Sequence, residues 1–221
     1  MRERGMIFNA EMVRALLDGR KTQTRRIMKV QPDSPEFGLL RITDSTKRSD
    51  IGKYHWAESN ACGNNVRSKL FACPFGAVGD RLWVREAFRV HSKATDFATL
   101  AYRASERQSW TQQTRRIPIS ECNKPVSPEA WTPSLHMLRW ASRITLKITS
   151  VRVERLNSMT EEDARAEGCM GGHDSIPGYM YSATPHEHFH HLWTSIYGED
   201  SWQANPWVWV VEFKRAEGVQ S

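Results

Sequence analysis

At 221 residues, with 39% hydrophobic and 25% charged side chains, the chain has the composition of a globular protein with a core of its own, which excludes a disordered or fibrous polymer. No apolar run approaches the roughly 20 residues that a membrane helix needs, and Met1-Arg2-Glu3-Arg4-Gly5 lacks the apolar centre of a secretory signal, so a cytoplasmic protein without membrane contact is expected. The net charge of +6 points to an anionic partner such as a nucleotide or nucleic acid, and the nine tryptophans offer faces that stack on bases as well as fill a core.

Ile7, Phe8, Met12, Val13, Leu16 and Leu17 recur at helical spacing, Asn9 can cap a helix from Ala10, and Gly19 supplies its left-handed stop. Arg20, Lys21, Arg25 and Arg26 then crowd around Thr22 and Thr24. If that segment is partly buried, mutual repulsion loosens the proton of the least solvated amine, and only the lysine can give one up. A solvated basic turn is the plainer alternative. Residues from about 30 to 75 are polar and aperiodic, as in a long insert. A Gly79-Asp80 turn opens a strand in which Leu82 and Val84 alternate with Trp83 and Arg85, and Glu86 follows it. A second irregular insert covers about 105 to 135.

Residues 143 to 155 alternate polar and apolar as a long half-buried strand bent near Ser150. Thr160 caps a short helix that carries Glu161, Glu162 and Asp163 in its first turn and ends at Gly168. A helix from Pro185 to Tyr197 places Phe189, Leu192, Trp193 and Ile196 on one face, and residues 207 to 214 form a last strand after Pro206. Trp83 and Trp209 are expected in the core. Without repeats or a βαβ rhythm, the predicted architecture is α+β: one domain over 1–221, a small closed β-barrel decorated by helices and interrupted by the two inserts.

Cys62, Cys73, Cys122 and Cys169 show no C-x-x-C pairing, which indicates reduced structural thiols rather than a zinc ribbon or a disulfide framework. A zinc site would have to draw on His55, Cys62 and Cys73 at a spacing unlike common structural sites. His186, His188, His190 and His191 point to different faces of one helix, so metal binding is not expected there either.

The order of these pieces is recognisable. A helix ending in Gly19-Arg20-Lys21-Thr22-x-Thr24 is followed by Gly79-Asp80-x-Leu82-x-Val84, by a strand into Val151-x-Val153-x-x-Leu156, by Glu162-x-Ala164-x-x-Glu167-Gly168, and by a strand ending Val211-Glu212-Phe213. The series resembles the ASCH domain, a PUA-like β-barrel related to RNA-binding modules. Within that group it is similar to the small bacterial amidohydrolases that deacylate N4-acetylcytidine. The resemblance implies Lys21 as proton acceptor, Thr24 as nucleophile and Glu167 as proton donor, with no cofactor or metal. The chain is about twice as long as those enzymes, and Cys73-Pro74-Phe75-Gly76 and the segment from Pro133 to Trp140 resemble larger ASCH proteins of phages and prophages.

The chemistry agrees with these roles. A threonine hydroxyl needs an adjacent base before it attacks, and a departing amide nitrogen needs a proton from an acid. Residues three apart in a strand face opposite sides, so Lys21 and Thr24 converge only at a turn or bulge, and Thr22 competes for the role. Glu167 has a plain alternative as an exposed helix-end acid. Glu86 is a second candidate carboxylate, facing the barrel mouth or paired with Arg85 or Arg89. Arg20, Glu86, His136, Arg139 and Trp140 are the expected substrate contacts, with Trp140 stacking on a pyrimidine that His136 and Arg139 hydrogen-bond. The expected partner is a small N4-acylated cytosine nucleoside, with weak nucleic-acid binding beside it. The rival function is an RNA- or DNA-binding module or nuclease that sets the basic stretch from Arg20 to Lys29 on phosphates.

Overall fold

The computed structural model describes residues 1–58 and 67–216. Its strands are β1 (Glu3–Ile7), β2 (Gln23–Ile27), β3 (Phe37–Arg41), β4 (Tyr54–Glu58), β5 (Arg81–Arg85), β6 (Phe88–Lys93), β7 (Phe97–Tyr102), β8 (Thr114–Pro118), β9 (Thr145–Arg155) and β10 (Trp207–Arg215). Its helices are α1 (Ala10–Leu17), α2 (Trp110–Gln113), α3 (Glu161–Ala166), α4 (Pro185–Tyr197) and α5 (Glu199–Gln203). The architecture is mixed α+β with three sheets among the described residues.

The central sheet runs β1-β5-β9-β10-β2, antiparallel except for the parallel β1–β5 pair. β10 is one of its three interior strands, and Val208, Trp209, Val210 and Val211 are all buried because both of its faces are covered. The bend expected near Ser150 is a register shift: Glu212 pairs with Ser150 but Phe213 with Ile148. The closed barrel is not what the pairing gives. No ladder joins the edge strands β1 and β2 among the described residues. Instead the Arg26 guanidinium spans the gap, donating to the Ile7 carbonyl at 2.7 Å and lying 5.4 Å from the Phe8 ring centroid. The chain between those strands forms α1, whose Met12, Val13, Ala15 and Leu16 face the core.

Neither insert is irregular throughout. Residues 30 to 75 contain the β3–β4 hairpin, which lays Trp56 against Trp207 and Tyr54 against Trp209, with ring centroids 5.2 and 5.1 Å apart. Residues 105 to 135 contain α2 and β8, and β8 completes a meander with β6 and β7. That meander has its own apolar cluster of Phe88, Val90, Leu100, Tyr102, Ile117 and Met137, with Trp83 packed against it. These strands are only five or six residues long, too short to show a clear period among the polar residues around them.

The local signals at the helices hold. Asn9 Oδ1 accepts from Met12 N–H at 2.8 Å, and Thr160 and Asp163 form a reciprocal cap at the start of α3. On α4 the buried face carries His188 with Phe189, Leu192 and Trp193, whereas Ile196, expected on that face, is 42% exposed.

Candidate active site

Three structural accidents of sequence meet at one place. Gly19, at φ +76°, ends α1 and sends the chain back along it, so that Lys21 N–H donates to the Ala15 carbonyl. β2 then follows with Gln23 and Arg25 on the same face as Lys21. α3 ends at Glu167, and Gly168, at φ +95°, lets the chain pass so close to α1 that an added Cβ would stand 2.7 Å from Ala15 Cβ and 3.3 Å from Lys21 Cβ.

Lys21 Nζ donates to Glu167 Oε2 at 2.7 Å and to the Glu167 carbonyl at 2.8 Å, and the two side chains are 0% and 1% exposed. Glu167 is therefore not a surface acid. Arg25, also buried, donates to Glu154 and Asp163 at 3.1 Å each and approaches Glu167 Oε1 at 3.5 Å. Its Nε–H is buried without a partner. Gln23 Nε2 donates to the Asp163 carboxylate at 3.0 Å, and Arg152 joins Asp163 at 3.1 Å and also contacts Glu154 and Glu212. Burial works to raise the Asp163 carboxyl, but hydrogen bonds from Gln23 and the Thr160 N–H, with the Arg25 charge, outweigh it and hold the group at about 2. Of the cations crowded together in the sequence, Lys21 is thus answered by Glu167 and Arg25 by Glu154, Asp163 and Glu167.

Thr24 lies between Gln23 and Arg25 and so faces the other side of β2, where it pairs in register with Val211. It is buried, whereas Thr22 is exposed and fixed only through its backbone, to Ala166 and Phe213. No hydrogen bond joins Lys21 to either threonine among the described residues. Arg20 donates to the Gly168 carbonyl and to Asp18, both at 2.9 Å, beside the Lys21–Glu167 pair.

The other expected contacts lie elsewhere. Glu86 does not pair with Arg85 or Arg89. Arg143 grips it through two 2.9 Å bonds and is itself held by Ser105 Oγ and the Tyr102 ring face. Arg85 turns instead to the Leu135 carbonyl and Arg89 to the Pro128 carbonyl. Burial pushes the Glu86 carboxyl up against the pull of Arg143. Glu86 lines a cavity of about 290 Å³ at the start of α1, with Asn9, Arg103 and Ser134. His136 is exposed in a 3-10 turn, Arg139 binds Glu3 and Thr145, and Trp140 packs edge-on against Phe88 with its Nε1–H buried and unpartnered. None of these three hydrogen-bonds or ion-pairs with Lys21 or Glu167, and neither Lys21 nor Glu167 lines that cavity.

Among the described residues no three His, Cys, Asp or Glu side chains are arranged to hold a metal ion. His188 accepts from Gly171 N–H at Nδ1, so its proton sits on Nε2 and is donated to Glu11 at 2.7 Å; His186 and His190 pack against Trp202. Cys62 lies outside the described residues, so the zinc arrangement with His55 and Cys73 is not described; Cys73, Cys122 and Cys169 are free thiols. Comparison with protein-family models, curated proteins and solved structures finds no match for this chain.

Sequence reading missed Arg25, Arg152, Glu154 and Arg143 as site residues. A signal was present for three of them. Arg25 shares parity with Lys21, and Arg152 and Glu154 sit two apart on one face of a strand whose neighbours are apolar.

Proposed function

We propose that the chain is an ASCH-type, PUA-like amidohydrolase that removes the acyl group from N4-acylated cytosine or cytidine. The observation that carries this reading is the contact between Lys21 and Glu167, 146 residues apart in sequence and buried together at 2.7 Å. These are the two residues that the ASCH resemblance makes base and acid. A proton passed from Nζ to Oε2 along that contact leaves a neutral amine and a neutral carboxylic acid, which are the two groups amide cleavage needs. Lys21 then takes the proton of the attacking oxygen as it bonds to the acyl carbon. Glu167 delivers its proton to N4 as the C–N bond breaks, releasing the carboxylic acid and the free amine. Because Thr24 lies on the far face of β2, water is favoured over Thr24 as the attacking oxygen.

In the basic stretch from Arg20 to Lys29 on which the nucleic-acid reading draws, Lys21 and Arg25 are buried in ion pairs, Arg20 pairs with Asp18 and Arg26 donates to Ile7, while Lys29 is exposed. The deciding experiment is incubation of the purified protein with N4-acetylcytidine. Cytidine and acetate should appear in equal amounts, and their absence at high enzyme concentration sinks the proposal.

A further inference from the structure

A second cavity, of about 500 Å³, opens between β1, the β3–β4 hairpin and the loop before β5, away from the Lys21–Glu167 pair. Its size falls within the range of small-molecule sites, roughly 300–1,000 Å³. Arg2, Arg4, Arg41 and Lys53 line it, against a single lining carboxylate, Asp80. That carboxylate is already engaged. It accepts from the Arg2 N–H at 2.7 Å, from the Ala77 N–H at 3.2 Å and from Arg4 at 3.3 Å, and the Arg2 hydrogen bond leads in drawing its carboxyl below the ordinary range. Lys53 is matched by Asp50 at 2.8 Å.

The Arg2 and Arg41 guanidinium groups are exposed and have no carboxylate partner among the described residues, while Arg41 leans toward the Tyr54 ring, 6.0 Å from its centroid. A concave surface with unmatched cations concentrates field and favours an anion. An arginine guanidinium presents a planar fork of donors that can hold two oxygens of a phosphate at once. The same cavity has an apolar side: Ile51 and Val78 line it and are 47% and 67% exposed.

We propose that this cavity binds a phosphate ester of nucleotide size, with the phosphate between Arg2 and Arg41 and the remainder of the ligand against Ile51 and Val78. The site is separate from the proposed hydrolytic centre, so it accounts for the basic surface without the Arg20-to-Lys29 stretch. Both a free nucleotide and a nucleic-acid strand offer this phosphate.

The test is calorimetric titration of the full chain with cytidine 5′-monophosphate, cytidine and a ten-nucleotide single-stranded RNA, repeated on Arg41→Ala and on the double variant Arg2→Ala/Arg41→Ala. The monophosphate should bind at least tenfold more tightly than cytidine. The double variant, with an unchanged circular dichroism spectrum, should lose at least tenfold of that affinity, and Glu167→Gln should lose none. RNA binding much more tightly than the monophosphate, with the same sensitivity to the double variant, makes a strand the source of the phosphate. Equal affinity makes it a free nucleotide. Monophosphate binding no better than cytidine, or undiminished in the double variant, overturns the proposal.

Discussion

Two ion clusters, around Lys21–Glu167 and around Glu86–Arg143, are built from the same kinds of side chain, yet one carboxyl in each, Asp163 and Glu86, is shifted in opposite directions. Glu86 has one cationic partner, and burial prevails, so its carboxyl is pushed up. Asp163, at the edge of the other cluster, is touched by Arg25, Arg152, Gln23 and the Thr160 N–H, and its carboxyl is held at about 2. Glu86 is the more deeply buried, its side chain 2% exposed against 19% for Asp163, and it has fewer donors, and both differences push its proton the other way. A cluster with several donors can also move a proton between members while keeping each one hydrogen-bonded. That is why the Lys21–Glu167 cluster is the better candidate for chemistry and Glu86–Arg143 the better candidate for holding the β6–β8 meander in place.

The sharpest way to break this contrast is Glu167→Gln. It keeps an acceptor for Lys21 or Arg25 but has no acid to give, so turnover of N4-acetylcytidine should fall by about two to four orders of magnitude with the fold retained. Lys21→Arg should be as inactive, because a guanidinium takes up no proton. Thr24→Ala should retain most activity if water attacks, and should abolish it if Thr24 carries the acyl group. Steady-state kinetics on the three variants decide the roles.

The Glu86 side of the contrast is tested by stability. Glu86→Ala leaves the Arg143 charge buried without its carboxylate and should cost about 3–5 kcal/mol in urea unfolding, whereas Glu86→Leu with Arg143→Met should recover much of that loss. An equally unstable double variant would mean that the pair contributes more than mutual neutralisation. Gly168→Ala imposes a left-handed alanine and a close contact with Ala15, with an expected cost of about 1–3 kcal/mol. It should lower activity as well as melting temperature, because the same backbone sets Lys21 against Glu167. Unchanged kinetics would separate that loop from the chemistry.

The smallest effect is in the pH dependence. Asp163 has a folded value below its ordinary 3.8, so its contribution is present above about pH 4 and is lost as the pH falls from there toward 2. Glu86 has a raised value, so its contribution to stability declines as the pH rises above its ordinary 4.5. Urea midpoints across pH 2 to 7 should show Asp163→Asn removing part of the acid loss and Glu86→Gln removing part of the decline above 4.5.

Much of the frame was legible in the residues themselves. Asn9, Gly19, Thr160 and Pro185 mark helix ends because capping is a contact over three or four residues, and the alternation along β5, β9 and β10 records which side of each strand is dry. The β3–β4 hairpin and the β6–β8 meander were not legible, since these strands are only five or six residues long and their burial comes from distant partners such as Trp207 and Met137. The same limit applies at the sites. That Lys21 follows a helix stop and that Glu167 directly precedes the glycine ending another helix could be read from the residues alone. That these two side chains are buried against each other and that Glu86 belongs to Arg143 came from the folded arrangement, because 146 and 57 residues of chain separate the partners, and the gap between β1 and β2 depends in the same way on how the sheet closes around them.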